Sequence, residues 1–243
     1  MSTSFLTRST RPQPAVGSEA APQGAVSAFR AYIYIDGFNV YKRLLSKTPY
    51  KWLDLRLFAQ RLLGNRGSVV RVNFYTSNVS GKLNTRMPGR QNQYLRAIKA
   101  HIAELQVHLG KFNTKAVLRP KSKPLPSGKW DYVQVLDTKE KGSDVNIASH
   151  LLRDAFQDSF DLALVISQDT DLIEPVRIAV QDAHKVVGVA CPERVPEGMR
   201  REASFALHIH RSILKACQLP ATVRKEDGEE IHKPSAWNNE FGF

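Results

Sequence analysis

Two aspartates that follow a short, strongly apolar stretch of the chain are the first candidates for chemistry. Residues 162–166 (LALVI) form a continuous apolar run of strand length, which is followed by Ser167 and then by Asp169 and Asp171 in an Asp-x-Asp spacing. Because the run shows no polar alternation, it predicts a strand that is buried on both faces of a parallel sheet. Ligands of open α/β sheets bind at the carboxyl ends of the strands. We therefore expect Asp169 and Asp171 to lie at a functional site.

One more carboxylate follows a predicted strand, and another begins a predicted helix. Asp36 comes directly after a β-branched and aromatic run (AYIYI). Asp144 starts a predicted helix over residues 144–156 and extends the apolar stripe of that helix. A carboxylate at a core-facing position is unfavourable unless it is paired or bound to a cation. Asp36, Asp144 and Asp169 are therefore candidates for one shared site.

Clustered carboxylates indicate a divalent cation, because they would otherwise repel one another or take up protons. Oxygen ligands without His or Cys suit Mg²⁺ or Mn²⁺, and such a site can activate water for phosphodiester cleavage. The simpler alternative is that each aspartate only caps the helix that follows it, and Asn39 is open to the same interpretation. The seven histidines show no nucleophile-and-base arrangement. Asp154, Asp158 and Asp161 are predicted to be surface acids.

The charge of the chain favours a polyanionic partner, since its formal net charge is +12. Between residues 77 and 130, eleven Lys and Arg residues face a single acid, Glu104, which gives this segment a net charge of +10. Such residues supply affinity for phosphates without reading base sequence. Residues 119–130 predict a hairpin tip, beside which Trp130 and Tyr132 either stack on bases or pack at the hairpin base. The alternative is a basic protein whose charge serves only solubility.

Cysteine content and hydropathy limit the class of protein. The two cysteines, Cys191 and Cys217, lie at no metal-ligand spacing and define no disulfide framework. Cys191 ends an apolar run and is predicted to be a buried thiol. No apolar run approaches the roughly 20 residues of a membrane span. We expect a soluble protein of a reducing compartment, the cytoplasm, that does not bind membranes.

The sequence predicts a single domain between two terminal segments. Residues 1–28 are rich in Ser, Thr, Pro, Ala and Gly and predict a disordered leader, with an organelle transit peptide as the alternative. Residues 29–219 form the predicted domain, although the pattern of 200–219 favours neither helix nor strand. Residues 220–243 predict a charged tail whose aromatic end could dock on another surface.

Three motifs, in this order, resemble the NYN domain family of PIN-like ribonucleases. They are Asp36-Gly37-Phe38-Asn39, Lys141-Gly142-Ser143-Asp144, and Ser167-Gln168-Asp169-Thr170-Asp171 with Pro175. The resemblance covers about residues 31–190. It implies an α/β fold, namely a PIN-like three-layer α/β/α sandwich around a mainly parallel central sheet. It also implies an Mg²⁺- or Mn²⁺-dependent endoribonuclease whose partner is single-stranded or structured RNA.

The resemblance further assigns roles to individual residues. Asp36, Asp144 and Asp169 are expected to hold the metal, and Asn39 and Asp171 to assist catalysis. Contacts with the substrate are expected from these polar and basic residues: Lys42, Arg86, Arg90, Arg96, Lys141 and Ser167, of which Ser167 also holds a metal-bound water.

The chain departs from the family pattern at three positions. Gln168 stands where the family often has Gly, and we expect it to crowd the approach of the phosphate. His150 stands where relatives commonly carry a second helix acid, which predicts a weaker or differently occupied metal site, and Leu172 replaces the usual Phe. The alternatives are an RNA-binding module with a degenerate nuclease site, a nuclease of branched or single-stranded DNA, and a basic interaction protein.

Overall fold

Within the described residues, the chain folds around a seven-stranded β-sheet. The structure, a computed structural model, describes residues 29–79 and 85–238 without the side chains of 111–114 and 138–141, and the predicted leader 1–28 lies outside this description. The strands are β1 (Arg30–Asp36), β2 (Ser68–Ser77), β3 (Leu105–Pro120), β4 (Tyr132–Lys141), β5 (Leu162–Ile166), β6 (Val186–Cys191) and β7 (Phe205–His208). Their spatial order is β4-β3-β2-β1-β5-β6-β7, and all neighbours are parallel except β3 and β4.

The strand order reverses beside β1. The chain adds β2, β3 and β4 on one side of β1 and then returns to place β5, β6 and β7 on the other side. β1 and β5 are therefore parallel neighbours, with Ile35 paired to Ile166 near their carboxyl ends. Such a switch point opens a crevice outside the strand ends, where ligands of α/β sheets bind. The residues that follow β1 and β5 share this crevice.

Helices cover both faces of the sheet. They are α1 (Gly37–Val40), α2 (Leu55–Leu63), α3 (Met87–His101), α4 (Ser143–Phe156), α5 (Ile173–Gln181), α6 (Glu197–Glu202) and α7 (Ser212–Lys215). Buried residues of α2, α3 and α7 pack on one face, and those of α4, α5 and α6 pack on the other. The predicted α/β/α sandwich around a mainly parallel sheet is therefore confirmed. Among the described residues, no helix is both long and apolar enough to cross a membrane.

The central strands explain how this sandwich is held together. In β1, Ile33 and Ile35 enter the core on the α2–α3 face, whereas Tyr34 enters the core on the α4–α5 face. All five residues of β5 are buried, as the unbroken apolar run predicts. Burial of each large aliphatic side chain stabilises the fold by about 1.5–3 kcal/mol. The two strands that end at the crevice are thus among the most deeply buried parts of the domain.

The segment that was predicted to be a tail packs on the domain. Strands β8 (Thr222–Arg224) and β9 (Glu230–His232) form an antiparallel hairpin, and a helical turn follows at Ser235–Trp237. Val223, Ile231 and Trp237 are buried in the same core as α2 and α3. Residues 220–238 are therefore part of the domain rather than a tail. Their few apolar residues are scattered among charges, so local hydropathy does not reveal their burial.

The structure resolves one segment that the sequence left open and agrees with two other predictions. Residues 200–219, for which neither helix nor strand was favoured, contain the end of α6, the edge strand β7 and the short helix α7. The hairpin tip predicted at 119–130 is confirmed, since β3 and β4 pair antiparallel on either side of it. The predicted buried thiol is also confirmed, because Cys191 is fully buried and burial raises its pKa to about 12.

Asp154 is not a surface acid. It is 4% exposed and accepts a hydrogen bond from the Tyr34 hydroxyl at 2.8 Å, while Arg153 pairs with its other oxygen at 2.7 Å. The prediction was wrong because helix periodicity cannot show that a tyrosine of β1 reaches this position. Asp158 and Asp161 do lie at the surface, where they form ion pairs with Lys and Arg side chains.

Candidate active site

Asp36 and Ser167 meet at the carboxyl ends of β1 and β5. Asp36 is 4% exposed, and its carboxylate accepts hydrogen bonds from the Asn39 amide and from the Ser167 hydroxyl, both at 2.9 Å. The buried Ser167 Oγ in turn accepts a hydrogen bond from the Asp169 amide at 3.1 Å. A buried carboxylate stays ionised only with such donors or a cation. The Ser167 hydroxyl therefore links the acid after one strand to the acid after the next.

The turns after the two strands are also joined through Asn39. Its side-chain oxygen accepts a hydrogen bond from the Gln168 amide at 3.3 Å, so the Asn39 side chain bridges the turns and does not cap α1. Asp36 is the cap of α1, and Asp169 caps the helical turn Thr170–Leu172 by accepting from the Asp171 amide at 3.0 Å. An ionised carboxylate offers about four acceptor sites. Helix capping, the alternative raised by the sequence, is therefore real and is compatible with binding a cation.

The other two predicted acids are less closely tied to this pair. Asp171 is exposed, and Asp144 is half-buried in the first turn of α4. Within the described parts of the chain, no group of three or more His, Cys, Asp or Glu side chains could hold a metal ion. The structure thus connects Asp36 and Asp169 through Ser167 but does not draw Asp144 into a common set of ligands.

The chemistry of the donors fits a hard divalent cation. Asp36, Asp169 and the Asn39 side chain present oxygen atoms at the crevice. Mg²⁺ usually keeps several waters and is bound through one or two carboxylates together with the phosphates of a substrate. The two connected aspartates satisfy that requirement in type and number, and Asp144 would add a third carboxylate.

The loop after β6 holds the Gln168 side chain in place. The side-chain nitrogen of Gln168 donates to the Glu193 carboxylate at 3.3 Å, and its side-chain oxygen accepts from the Glu193 main-chain amide at 3.3 Å. Glu193 also pairs with Arg43 at 3.0 Å. These contacts fix the Gln168 side chain in one position beside the loop. Whether it crowds a phosphate stays a prediction.

His150 belongs to a partly buried group that we call the His108 cluster: Asn73, Tyr75, His108 and His150. The Tyr75 hydroxyl hydrogen-bonds the His150 ring at 3.0 Å, and the His108 and His150 rings lie 4.6 Å apart. Burial lowers the pKa of His150, and burial followed by the charge of His150 lowers the pKa of His108 to about 4. His150 is therefore neutral at pH 7 and cannot supply the negative charge of a second helix acid.

Two of the predicted substrate contacts, Lys42 and Arg86, lie at the surface. Lys42 is exposed, with its ammonium group 5.3 Å from the centre of the Phe38 ring. Arg86 is exposed just before α3. The side chain of Lys141 lies outside the description. The contact of these residues with a substrate stays a prediction.

Ion pairs reduce the charge of the basic segment. Arg96 pairs with Glu229 beside β9, and Arg119 pairs with Asp137 at 2.7 Å across the β3–β4 hairpin. Both acids lie outside residues 77–130, so the positive charge of the segment is partly offset in the folded domain. Arg96 is thus less available to a phosphate than its sequence context suggested.

The aromatic residues beside the hairpin tip are accessible. Trp130 and Tyr132 are 53% and 56% exposed. The alternative that they pack at the hairpin base is therefore wrong, and both rings are open to stacking.

Next to the crevice lies a cavity that the sequence did not predict, which we call the Lys51 cavity. It measures about 370 Å³, and Arg90 lies on its wall with Lys51. Its walls also include four aromatic side chains: Phe38, Phe74, Tyr94 and Trp237. Two signals in the sequence pointed to it: a lysine placed between two aromatic residues at position 51, and the aromatic end of the supposed tail.

Three comparisons show what this chain is similar to. The model of the NYN domain matches residues 30–209. A 6-hydroxy-3-succinoylpyridine 3-monooxygenase, HspA, from Pseudomonas putida is 26% identical and covers 86% of this chain and 75% of its own length. A crystal structure of a protein of unknown function from Vibrio parahaemolyticus is 18% identical, with a TM-score of 0.46, and covers 77% of this chain and 97% of that one.

The family match bears on the class of activity. NYN domains have a nuclease-like fold and are usually nucleases, and such nucleases typically use divalent metals. The match begins with β1 and ends after β7, so it includes every strand of the central sheet and all three motifs that carry the candidate acids. The chain therefore belongs to the NYN domain family.

Proposed function

We propose that the protein is an endoribonuclease that hydrolyses RNA phosphodiester bonds with Mg²⁺ or Mn²⁺. One observation carries the proposal. The Ser167 hydroxyl donates to the Asp36 carboxylate and accepts from the main-chain amide of Asp169, at the ends of adjacent parallel strands in a chain of the NYN family. Oxygen ligands at such a position suit a cation that also binds phosphate. The net charge of +12 suits a polyanionic substrate.

Each residue of the site has a distinct task in this proposal. Asp36 and Asp169 would hold the cation, and Asp144 is the third ligand that the family resemblance implies. A bound divalent cation would lower the pKa of a water molecule and offset the charge of the phosphate. Ser167 orients the Asp36 carboxylate by donating a hydrogen bond to it. Asn39 fixes the turn after β5 through the Gln168 amide. Asp171, which is exposed, accepts a proton from the attacking water.

The β3–β4 hairpin is the proposed RNA-binding surface. Trp130 and Tyr132 expose their rings, and Lys115, Lys123 and Lys129 are also exposed. Aromatic rings stack on unpaired bases without sequence preference, and lysines contact phosphates. This combination favours a single-stranded or looped substrate, bound more weakly as the salt concentration rises.

The first prediction concerns the aspartates. Asp36→Asn and Asp169→Asn should each lower cleavage of labelled single-stranded RNA in Mg²⁺ or Mn²⁺ by more than about 100-fold, because loss of a ligand exceeds the 10- to 100-fold cost typical of changes around it. Glu226→Gln is the matched control, since it removes an exposed carboxylate of the β8–β9 connection and should leave cleavage unchanged. Wild-type activity in Asp169→Asn would disprove the mechanism.

The same assay separates the rival functions. Asp144→Asn shows whether the third acid takes part in cleavage. If this variant keeps full activity while Asp36→Asn and Asp169→Asn lose it, the site consists of two carboxylates. Salt-sensitive RNA binding without cleavage under any divalent ion would favour a binding module. Faster cleavage of single-stranded or branched DNA than of RNA under one metal would favour a DNA nuclease.

The name of the curated relative raises a second candidate function, the oxidation of a small aromatic compound. The Pseudomonas putida relative is named a 6-hydroxy-3-succinoylpyridine 3-monooxygenase and matches most of this chain. A monooxygenase inserts one oxygen atom of dioxygen into its substrate and reduces the other to water with two electrons from a donor, for example a reduced nicotinamide. The test is to incubate the protein with that pyridine, dioxygen and NADH. Monooxygenase activity requires that NADH is consumed only when the pyridine is present.

A further inference from the structure

The Lys51 cavity is enclosed by aromatic side chains from four separate segments. Phe38 comes from α1, Phe74 from β2, Tyr94 from α3 and Trp237 from the C-terminal helical turn. Trp237 is 8% exposed, and its ring centre lies 6.2 Å from that of Tyr94. The volume of about 370 Å³ falls within the range of roughly 300–1,000 Å³ that is common for small-molecule sites. The walls therefore suit a flat, apolar body.

The cavity also holds a buried cation. Lys51 is 5% exposed, and its ammonium group donates one hydrogen bond, to the Thr48 carbonyl at 2.5 Å. Arg90 is half-buried on the same wall. Burial, with the nearby charges of Arg90 and Lys233, lowers the pKa of Lys51. An ammonium group in such surroundings is costly unless it is paired.

Protein carboxylates do not neutralise this group. Among the described residues, no Asp or Glu forms an ion pair with Lys51, Arg90 or Lys233. Two of the three N–H donors of Lys51 likewise have no protein acceptor there. An anion that entered the cavity would gain these charge-assisted hydrogen bonds. The cavity thus combines apolar walls with an unsatisfied positive end.

We propose that the Lys51 cavity binds a small aromatic acid, with its ring among Phe74, Tyr94 and Trp237 and its carboxylate paired with Lys51 and Arg90. A single carboxylate suits the site because Lys51 is its one deeply buried cation among the described residues. The ring can stack or pack edge-on against the aromatic walls. The proposal concerns binding alone and rests on neither RNA cleavage nor oxidation.

The test compares two probes that share a ring system and differ in charge: indole-3-acetate and indole-3-ethanol. Titration calorimetry on the full chain should give a dissociation constant at least about tenfold lower for the acid, since hydrogen bonds to charged groups contribute enough for such a factor. In Lys51→Met the two probes should bind within about threefold of each other, because the cation is lost while the length of the side chain is kept.

Two control variants and a second cavity variant make the result decisive. Lys99→Met removes an exposed lysine of α3 and should preserve the preference for the acid. Arg90→Gln, a second cavity variant, should weaken binding of the acid even if Lys51→Met unfolds. Asp169→Asn should bind the acid like the wild type, which separates this proposal from RNA cleavage. Equal binding of both probes to the wild type, or binding of neither, would overturn it.

Uridine monophosphate, as a third probe, distinguishes a free acid from a nucleotide. The proposal expects it to bind more weakly than indole-3-acetate, because its ribose hydroxyls and doubly charged phosphate would need more polar partners than the walls provide. Tighter binding of uridine monophosphate, with loss of that binding in Lys51→Met, would replace the free acid by a nucleotide.

Discussion

Two buried carboxylates in this domain, Asp36 and Asp154, each accept a hydrogen bond from the hydroxyl group of a residue in or next to a central strand. Asp36 accepts from Ser167 at the end of β5, and Asp154 accepts from Tyr34 in β1. Burial raises the pKa of Tyr34, so its hydroxyl remains a donor throughout the physiological range. A buried acceptor that loses its donor retains the cost of desolvation. Removal of one hydroxyl partner should therefore destabilise the protein more at these buried acids than at surface acids.

A prediction at this scale compares two tyrosines of β1. Tyr34→Phe should destabilise the protein by about 1–3 kcal/mol, because it leaves one oxygen of the buried Asp154 without its partner. Tyr32→Phe is the control, since the half-buried Tyr32 has no hydroxyl hydrogen bond among the described residues and should change stability by less than about 0.5 kcal/mol. Urea denaturation measures both, and equal effects would contradict the assignment.

At the scale of elements, the turn from β1 into α1 fits tightly against β2. A Cβ atom on Gly37 would lie 2.6 Å from the Tyr75 carbonyl oxygen and 2.6 Å from the Phe74 ring. The carbonyl belongs to the β2 backbone and cannot yield without disturbing the ladder between β1 and β2. Glycine at this position is therefore required by close approach of two segments, and the position of Asp36 depends on it.

The prediction at the scale of elements uses two glycines. Gly37→Ala should destabilise the fold by about 1–3 kcal/mol through overpacking, and it should also lower RNA cleavage because the turn that carries Asp36 shifts. Gly89→Ala in the first turn of α3 is the matched control, since nothing lies within 4 Å of its added methyl group. Helix propensity predicts that this control is neutral or stabilising by up to about 1 kcal/mol. Thermal unfolding and the RNA assay report the two effects, and similar behaviour of both variants would refute the argument.

At the scale of the whole molecule, contacts between distant segments decide what is buried. The C-terminal hairpin and Trp237 close the core on one face, and the His108 cluster joins β2, β3 and α4 on the other. Asn73 in that cluster has a buried amide nitrogen without a partner among the described residues. A charged imidazole would be poorly solvated in this group, so acid should weaken the fold there.

The pH dependence of stability tests this expectation. The pKa of His108 falls from 6.5 to about 4 on folding, so the unfolded chain binds more protons than the folded domain between these values. Stability contributed by neutral His108 is therefore complete above about pH 6.5 and is lost as the pH falls towards 4. Between about pH 7.5 and about pH 5, the free energy of unfolding of His108→Gln should therefore fall by about 1 kcal/mol less than that of the wild type. This figure allows for the partial exposure of His108.

The control for this measurement is His210→Gln, because His210 is exposed near β7. It should keep the wild-type slope of unfolding free energy against pH. Carboxylates also contribute to acid destabilisation, so the informative quantity is the difference between the variants. Identical slopes in His108→Gln and the wild type would show that the cluster does not titrate in this range.

The local sequence pattern was sufficient to predict strands of the central sheet and the positions of two acids of the candidate site. The apolar run 162–166 coincides with β5, and Asp36 and Asp169 follow β1 and β5 as predicted. Strand burial and turn chemistry are encoded by neighbouring residues, so they can be recognised in one sequence. The same reasoning could not show that Ser167 joins the two acids, because that hydrogen bond spans 131 residues.

The sequence by itself determined the fold class, the family and the placement of two acids at the ends of buried strands. Only the tertiary structure decided that residues 220–238 close the core, that Asp154 is buried beneath Tyr34, and that the His150 ring lies beside His108. It also decided that Lys51 faces an apolar cavity whose described lining contains no carboxylate. The physical reason is the range of the interactions. Periodicity reports which side of an element is apolar, whereas the burial and pairing of a polar group depend on whichever distant segment packs against it.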